Sequence, residues 1–358
     1  MADPASDAGA AHFGIEGDRR ATARRLSRVL VLLLIAAAVT GLATGAAGTS
    51  LWQSMLDLAQ GRELSVRDRV VLLDIRAPRV VMGCLVGAAL AVSGAILQGL
   101  FRNPLADPGI VGVSAGASLG AVSAIVLGST LTVGAVLGTW MVPVAAFFGA
   151  WITTILLYRV ATRRGRTSVA TMLLAGIALT ALAMALTGIL VFMADDTQLR
   201  DFTFWSMGSL AGSSWSKIAI AAPLILIPLL LSPFLTYGLN GLSLGEAAAG
   251  HIGIHVQRLK ACAVLIVAAA TGAAVAVSGG IGFVGIVVPH LLRLASGPDH
   301  RYLLINSALL GAALLVLADL ISRVIIAPSE LPIGIVTAVI GAPFFLWILL
   351  RQRGIVDL

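Results

Sequence analysis

Charged residues are scarce in this sequence of 358 residues: Asp, Glu, Lys and Arg together make up 11% of it. A soluble domain of ordinary composition carries about 25% charged residues. Hydrophobic residues reach 58%, and the mean hydropathy is +0.99. This composition excludes a soluble globular protein. The net charge of +7 comes mostly from arginines between apolar segments, so it indicates membrane topology rather than binding of nucleic acid.

Lysine occurs only at Lys217 and Lys260, in the segments SWSKI and RLKAC. A nucleotide-binding P-loop requires the pattern G-x-x-x-x-G-K-[ST], and neither segment contains it. If ATP drives this protein, the ATPase must therefore be a separate chain.

Acidic residues and histidines are nearly absent from the middle of the apolar segments, where carriers driven by proton or sodium gradients usually hold them. Asp319 lies one turn from the end of its segment, and we expect it to pair with Arg323 four residues later. Neither H-E-x-x-H nor a pair of intramembrane aspartates occurs. A gradient-driven secondary carrier and an intramembrane enzyme are the disfavoured alternatives.

Cysteine is also rare, and Cys84 and Cys262 each lie near the start of an apolar segment. In such a position Cys acts as a small hydrophobic residue. The two cysteines therefore indicate neither a disulfide nor a metal site, and we predict no metal ligands.

Apolar segments that can cross a hydrocarbon core of ~30 Å recur along the whole chain. The sequence predicts an all-α polytopic membrane protein with ten spans: 29–48, 79–101, 110–130, 134–158, 168–193, 216–236, 259–278, 281–296, 303–323 and 332–350. The first is predicted to be an uncleaved span, because its apolar run exceeds the about 7–15 residues of a signal sequence. Residues 1–28 then form an N-terminal tail, and residues 29–358 form the membrane domain.

The distribution of arginine predicts the topology. An even number of spans puts both termini on one side of the membrane. With the N-terminus inside, most of the Lys and Arg residues fall in inside segments, so the positive-inside rule predicts that both termini are cytoplasmic.

A short repeat indicates a transporter. The sequence AVSG begins at Ala91 and again at Ala276, and a proline follows each copy at the same distance, Pro104 and Pro289. The copies lie in spans 2 and 7, which run in opposite directions through the membrane. Inverted repeats with broken helices are typical of transporters. We therefore predict an inverted repeat of spans 2–5 and 7–10.

The longest inside loop, about residues 240–258 (NGLSLGEAAAGHIGIHVQR), is rich in alanine and favours helix. Glu246 is its one acidic residue. A short helical hairpin there is suited to rest on a partner at the cytoplasmic side.

Longer stretches carry a family resemblance. They are IRAPRVVMGCLVGAALAVSGAILQGLFRNPLADPGIVGVSAGASLGA, LNGLSLGEAAAGHIGI, GGIGFVGIVVPHLLR, DHRYLL, LADLISR and ELPIGIVTAVIGAPFFLWIL. Together they resemble the permease subunits of FecCD-type (type II) ABC importers, which take up vitamin B12, iron-siderophores and haem. The resemblance implies ten spans per subunit in the bacterial inner membrane, a homodimer with a central pathway, two ATPase subunits that hold ATP and Mg²⁺ on the cytoplasmic side, and a periplasmic binding protein. This chain itself would be a transport subunit without enzymatic activity or cofactor.

The resemblance also implies roles for particular residues. ATPase coupling maps to Leu244, Gly245 and Glu246; the cytoplasmic gate maps to Asn103, Leu105, Ser168 and Val169; and docking of the binding protein maps to Arg76, Arg79 and Arg323. These three arginines lie outside in the predicted topology, and exposed Arg is suited to bidentate pairing with carboxylates of a partner.

The outside segment DDTQLRDFTFWSMGSLAGSSW bears on the substrate. Haem has two propionates and a wide apolar face, which an Arg next to aromatic side chains would bind. We predict that Arg200, Phe204, Trp205 and Met207 line the substrate pathway; Met207 is the one residue of this segment whose type can ligate haem iron. The segment LRDFTFWSMGSLAG resembles haem-importing members of the family, so haem is the predicted substrate, with an iron-siderophore or cobalamin as the alternatives.

Overall fold

The computed structural model describes residues 19–45, 48–109, 112–128 and 137–356. Its helices, numbered in chain order, are α1 (Arg20–Ala43), α2 (Leu51–Ala59), α3 (Val66–Arg69), α4 (Ala77–Phe101), α5 (Val113–Leu127), α6 (Met141–Ala161), α7 (Val169–Met193), α8 (Asp196–Ser206), α9 (Trp215–Leu231), α10 (Thr236–Leu242), α11 (Glu246–His251), α12 (Val256–Ser278), α13 (Val284–Ser296), α14 (His300–Val324) and α15 (Ile333–Val356). A π-helical segment, Val70–Arg76, joins α3 to α4, and 3₁₀ turns precede α6 (Gly138–Trp140) and α10 (Ser232–Leu235).

Seven of the described helical segments are long and apolar enough to cross a membrane: α1, α3 to α4, α6 with its 3₁₀ turn, α7, α9 to α10, α12 and α14. Shorter apolar helices are α5, α13 and the Ile333–Trp347 part of α15. Each of the ten predicted spans therefore coincides with an apolar helix, and the chain is a helical multi-pass membrane protein. That the three shorter helices also cross the membrane stays a prediction.

Helix α4 lies at the centre of the bundle. It is apolar on all sides and nearly all of its residues are buried, as expected for a helix that others surround. Its neighbours include α12, α13 and α14. Glycines permit the closest crossings, because a Cβ on Gly87 would lie 2.2 Å from the carbonyl oxygen of Gly311 in α14, and one on Gly94 would lie 2.0 Å from that of Gly285 in α13.

The outer helices face away from this core. Helices α1 and α7 expose large apolar side chains, among them Leu32, Leu174 and Phe192. Apolar surface of this extent is unfavourable in water. It is suited to contact with acyl chains or with another apolar surface.

Helix α1 begins nine residues before the predicted span. The apolar run starts at Val29, but the helix starts at Arg20. Its first turns contain mainly Arg, Ala and Leu, which are strong helix formers, so the helix continues beyond the apolar run. A β-hairpin that pairs Thr162–Arg163 with Arg166–Thr167 departs from the all-α prediction. Gly165, with a φ of +73°, forms its turn.

The two AVSG copies adopt different local structures. The first lies inside α4, which continues to Phe101 and ends where Arg102 adopts a left-handed conformation. The second ends α12 at Ser278, and Gly279 follows with a φ of +71°. Pro289 lies within α13 rather than at a break. The match between the copies is therefore one of sequence, and the inverted repeat stays a prediction.

Candidate functional site

Arg79 lies in a buried cluster of charges at one end of the bundle, which we call the arginine end. Its Nε donates to both oxygens of Asp319, at 2.8 and 3.0 Å, and its Nη1 donates to both oxygens of Glu330, at 2.8 and 3.0 Å. Arg323 pairs with Asp319 at 3.1 Å, which confirms the predicted i,i+4 pair. The Arg79 and Asp319 side chains are almost fully buried, whereas Glu330 remains partly exposed.

Arg76 is bound by backbone groups at the same end. Its Nη1 donates to the carbonyl oxygens of Leu42, Ala43 and Thr49, at 2.8, 3.2 and 3.3 Å. The expectation that Arg76, Arg79 and Arg323 are exposed is therefore wrong, since all three are buried. The physical reason is that carboxylates and backbone carbonyls of the same chain accept hydrogen bonds from these guanidinium groups, although Arg76 Nη2 has no partner among the described residues. Their docking role stays a prediction.

The predicted pathway residues lie on two different faces of helix α8. A capping box of Asp195 and Gln198 fixes its start. Arg200 and Phe204 are exposed and four residues apart, and Met207, also exposed, follows at the end of the helix on the same face. Trp205 lies on another face, partly buried, with its ring stacked on Phe202 at 6.4 Å. Arg200, Phe204 and Met207 therefore share a surface that Trp205 does not join.

Backbone hydrogen bonds hold the end of α8 against two other elements. The N–H groups of Ile333 and Gly334, at the start of α15, donate to the carbonyls of Gly208 and Met207, each at 3.1 Å. Ser209 N–H donates to the carbonyl of Ser278 at 2.8 Å, where α12 ends. The segment around Met207 thus lies at a junction of three helix ends.

The predicted gate residues Asn103 and Leu105 lie in the loop that follows α4. Asn103 Oδ1 accepts the Leu105 N–H at 2.9 Å, which stabilises the turn. Asn103 also lines a cavity of about 230 Å³. Farther along this loop, burial raises the pKa of the Asp107 carboxyl. The hydrogen bond from the Gly109 N–H, 2.7 Å long, offsets only part of this rise.

The other predicted gate residues lie at the start of α7. Ser168 caps this helix through its Oγ, which accepts the Thr171 N–H at 3.3 Å. Val169 is half-buried against the core. In the described part of the chain no hydrogen bond joins this segment to Asn103 or Leu105, so the two halves of the predicted gate are separate elements.

Lys260 connects the predicted coupling segment to the β-hairpin of residues 162–167. This hairpin directly precedes the predicted gate residues Ser168 and Val169, and we call it the gate hairpin; this end of the bundle we call the coupling end. The Lys260 ammonium lies 2.7 Å from Glu246 Oε1 and donates to the carbonyl of Thr167 at 2.7 Å. Lys260 is 2% exposed. Gln257 holds the same hairpin, since its Oε1 accepts the Thr167 N–H at 2.7 Å. Glu246, the first residue of α11, is thus joined through one side chain to the residue that precedes Ser168.

The other coupling residues lie beside this pair. Gly245 has a φ of +103°, a conformation that favours glycine, and it begins α11. Leu244 is 69% exposed. The surface at this end therefore presents an apolar side chain next to an internally paired carboxylate.

Sequence reasoning missed Lys260 and Gln257 as site residues and treated Lys260 only as a topological charge. A signal was present in the sequence, because Lys260 is one of only two lysines and lies near the start of an apolar helix, one turn after its first residue, Val256. The partner Thr167 is 93 residues away in the chain, so no local pattern could identify it.

Comparison with known proteins shows the family of this chain. The sequence pattern of the FecCD transport family matches residues 30–351. The chain belongs to the FecCD transport family. Among its relatives, the hemin transport system permease protein HmuU of Yersinia pestis is 47% identical over 79% of this chain and 84% of that protein. The cobalamin import system permease protein BtuC of Halobacterium salinarum is 46% identical over 80% of this chain and 74% of that protein.

A solved structure agrees with the FecCD assignment. The permease fold of a metal-chelate type ABC transporter, in an inward-facing conformation, superposes with a TM-score of 0.81. The two are 31% identical, and the match covers 92% of this chain and 99% of that chain. This FecCD protein is therefore an ABC importer permease, a membrane transport subunit rather than an enzyme.

Proposed function

We propose that this chain is the permease subunit of an ATP-driven importer that moves haem from the periplasm to the cytoplasm, through a pathway between two copies of itself. The observation that carries the haem assignment is Arg200. Among the described residues its guanidinium has neither a hydrogen bond nor an ion pair, and it shares an exposed face with Phe204 and Met207. A free cation beside an apolar surface complements the propionates and the ring of haem. The high identity to a hemin permease supports the same substrate.

We also propose where the subunit lies in the cell and which partners it binds. We place it in the bacterial inner membrane with ten spans, both termini in the cytoplasm and an inverted repeat of spans 2–5 and 7–10. Two ATPase subunits bind at the coupling end, and a periplasmic binding protein docks at the arginine end. Membership of the FecCD family and the inside excess of basic residues support this arrangement.

Force from the ATPase reaches the gate through Lys260. A partner that moves Leu244 and Gly245 also moves Glu246, which is ion-paired to Lys260. Lys260 in turn holds the Thr167 carbonyl next to Ser168 and Val169. The Lys260 ammonium is buried and is held by both an ion pair and a hydrogen bond, so displacement of α11 is passed on to the hairpin and the start of α7.

Cobalamin is the second candidate substrate, because cobalamin permeases match at nearly the same identity. Reconstitution of the permease with its ATPase and binding protein in liposomes separates the candidates. We expect haem-loaded binding protein to stimulate ATP hydrolysis, while the same protein offered cobalamin or an iron-siderophore leaves it at the basal rate. Stimulation by cobalamin but not by haem would show that the substrate assignment is wrong.

Replacing Arg200 by Ala tests the pathway. We expect haem uptake into proteoliposomes to fall roughly tenfold, since a hydrogen bond to a charged group contributes about 1.5–3 kcal/mol. Basal ATP hydrolysis should stay unchanged, because α8 lies far from the coupling end. Arg62→Ala is the matched control, since Arg62 is an exposed arginine at the same end whose partner is Asp57. Equal uptake by the two variants would remove Arg200 from the pathway.

Replacing Glu330 by Gln tests the docking site. Glu330 is partly exposed and is ion-paired with Arg79, so it competes with any carboxylate of a binding protein for this guanidinium. We expect Glu330→Gln to lower the Kd for the binding protein severalfold, measured with the permease in nanodiscs. Glu63→Gln removes an exposed charge at the same end and controls for long-range electrostatics. An equal change in both variants would contradict competition at Arg79.

A further inference from the structure

A groove of about 230 Å³ runs between α6 and α12, and one cavity contains both its apolar walls and a cation at one end. The α6 wall extends from Trp151 through Ile155 to Arg159, and the α12 wall extends from Ala261 to Ala268. Within each wall the lining residues are mainly three or four positions apart, so each wall is one face of its helix. The groove therefore follows the two helices for about 10–12 Å. We call it the α6–α12 groove.

The α6–α12 groove is apolar and open to its surroundings. At its inner end the two helices meet, since a Cβ on Gly272 would lie 3.3 Å from the Cβ of Ala150. The hydroxyl of Thr154, which lies in the wall, donates to the Ala150 carbonyl at 2.8 Å, so its hydrogen bond is made within α6. Ile155 is 40% exposed and Leu265 is 50% exposed. An aliphatic chain can therefore enter from the side and lie along both helices.

The end of the groove toward the coupling end is basic. Arg159 is exposed and lines the cavity. Arg258 is also exposed and precedes Ala261 by three residues, so it continues the groove-lining face of α12. Among the described residues neither arginine has an ion pair or a hydrogen bond from its side chain. Glu246, near the start of α12, is already ion-paired with Lys260, so it does not neutralise them.

The basic end lies where the hydrocarbon core meets the lipid headgroups. Arg159 is the one charged residue of α6 and lies two residues before its end, and exposed arginines follow in the gate hairpin. Tyr158, also in the lining, belongs to a residue type that is enriched at membrane interfaces. From Arg159 the groove extends about 12 Å inward, which is within the ~15 Å depth of one leaflet of a ~30 Å core.

Basic pockets between membrane helices are suited to anionic lipid headgroups. We propose that the α6–α12 groove binds an anionic phospholipid, with its phosphate against Arg159 and Arg258 and an acyl chain between α6 and α12. The two guanidinium groups supply charge-assisted hydrogen bonds to the phosphate, and the aliphatic side chains of the walls contact the chain.

Native mass spectrometry of the delipidated permease tests this site with dioleoyl phosphatidylglycerol, dioleoyl phosphatidylcholine and glycerol phosphate as probes. We expect phosphatidylglycerol to bind about tenfold more tightly than phosphatidylcholine, because two arginines attract its net negative charge. Glycerol phosphate, which has the anion but no acyl chain, should bind far more weakly. Equally tight binding of glycerol phosphate would mean a site for a free phosphate compound and would overturn the lipid proposal.

Paired substitutions distinguish the groove from general attraction to a basic surface. Arg159→Gln with Arg258→Gln should abolish the preference for phosphatidylglycerol. The matched control is Arg25→Gln with Arg28→Gln, which removes two exposed arginines from the basic end of α1, a helix that does not line the groove. If both pairs reduce the preference equally, or neither does, the proposal is wrong. Unchanged lipid binding together with loss of ATPase assembly in the first pair would assign these arginines to a protein interface instead.

Filling the groove tests the position of the acyl chain while both arginines are retained. Ala261→Phe places a ring in the α12 wall, so we expect phosphatidylglycerol to bind about tenfold more weakly, since the chain loses its contacts. Cys262→Phe is the matched control, because Cys262 is exposed and is not among the residues of the wall. Equal binding by the two variants would show that no acyl chain lies in the groove.

Discussion

Replacing Lys260 by Met is expected to separate ATP hydrolysis from transport. Met fills much of the same volume but offers no donor to Glu246 or to the Thr167 carbonyl. Loss of this link leaves α11 free to move without the gate hairpin. We expect substrate uptake by the reconstituted importer to fall about tenfold or more, equivalent to ~1.4 kcal/mol, while ATP hydrolysis stays within a factor of about two.

Lys217→Met is the matched control, because Lys217 is the other lysine and its ammonium also donates to a backbone carbonyl, that of Gly212 at 2.7 Å. It lies at the opposite end of the bundle, so both activities should be retained. A parallel loss of uptake and ATP hydrolysis in Lys260→Met would indicate general destabilisation instead of uncoupling.

A double-mutant cycle sharpens this test. The Glu246 side chain is 42% exposed and therefore tolerates loss of its partner, whereas the Thr167 carbonyl would lose a buried donor at a cost of about 1–3 kcal/mol. If transmission requires the pair, Glu246→Gln combined with Lys260→Met should impair uptake no more than Lys260→Met alone. Additive losses would show that the two residues act independently.

Replacing Gly94 by Ala is expected to destabilise the centre of the bundle. The added Cβ would lie 2.0 Å from the carbonyl oxygen and 2.6 Å from the Cα of Gly285. Both are backbone atoms of α13, so the clash cannot be relieved by turning a side chain, and the two helices must separate. Overpacking of this kind costs about 1–3 kcal/mol, and we expect the upper part of that range, seen as a lower melting temperature in detergent.

Gly188→Ala is the matched control, since a Cβ there meets no atom within 4 Å. Gly188 lies within α7, where Ala favours helix over Gly by about 1 kcal/mol. The same chemical change should therefore leave the melting temperature unchanged or raise it. Equal melting temperatures for the two variants would contradict the close crossing of α4 and α13.

The apolar helices were predictable from the sequence because the bilayer imposes a length and a composition on helices that cross it. Ten apolar runs became apolar helices, and the i,i+4 spacing of Asp319 and Arg323 was enough to predict their ion pair. Which side chains share one face of a helix also depends only on their spacing in the sequence. Arg200 and Phe204 lie on one side of α8 because they are four residues apart, and Trp205, five residues after Arg200, falls on another.

The burial of the arginines could not be predicted, because their partners are distant in the chain. Arg79 finds Asp319 and Glu330 about 240 and 250 residues later, and Arg76 finds the end of α1. A periodic pattern reports which face of a helix is apolar, but it carries no information on which other helix supplies a carboxylate. The exposure expected of Arg76 and Arg79 was wrong for this reason. Arg323 has its ion-pair partner nearby, but it also donates to the distant carbonyls of Gly41 and Thr44.

The amino-acid sequence by itself determined that this protein is a helical membrane protein of the FecCD family, since hydrophobic length and family motifs are properties of contiguous residues. Only the tertiary structure decided that Lys260 joins Glu246 to the hairpin before Ser168 and that Arg79 is buried between Asp319 and Glu330. Such contacts arise from the packing of whole helices. Their geometry therefore depends on close crossings, such as that of Gly94 with Gly285, which no single segment specifies.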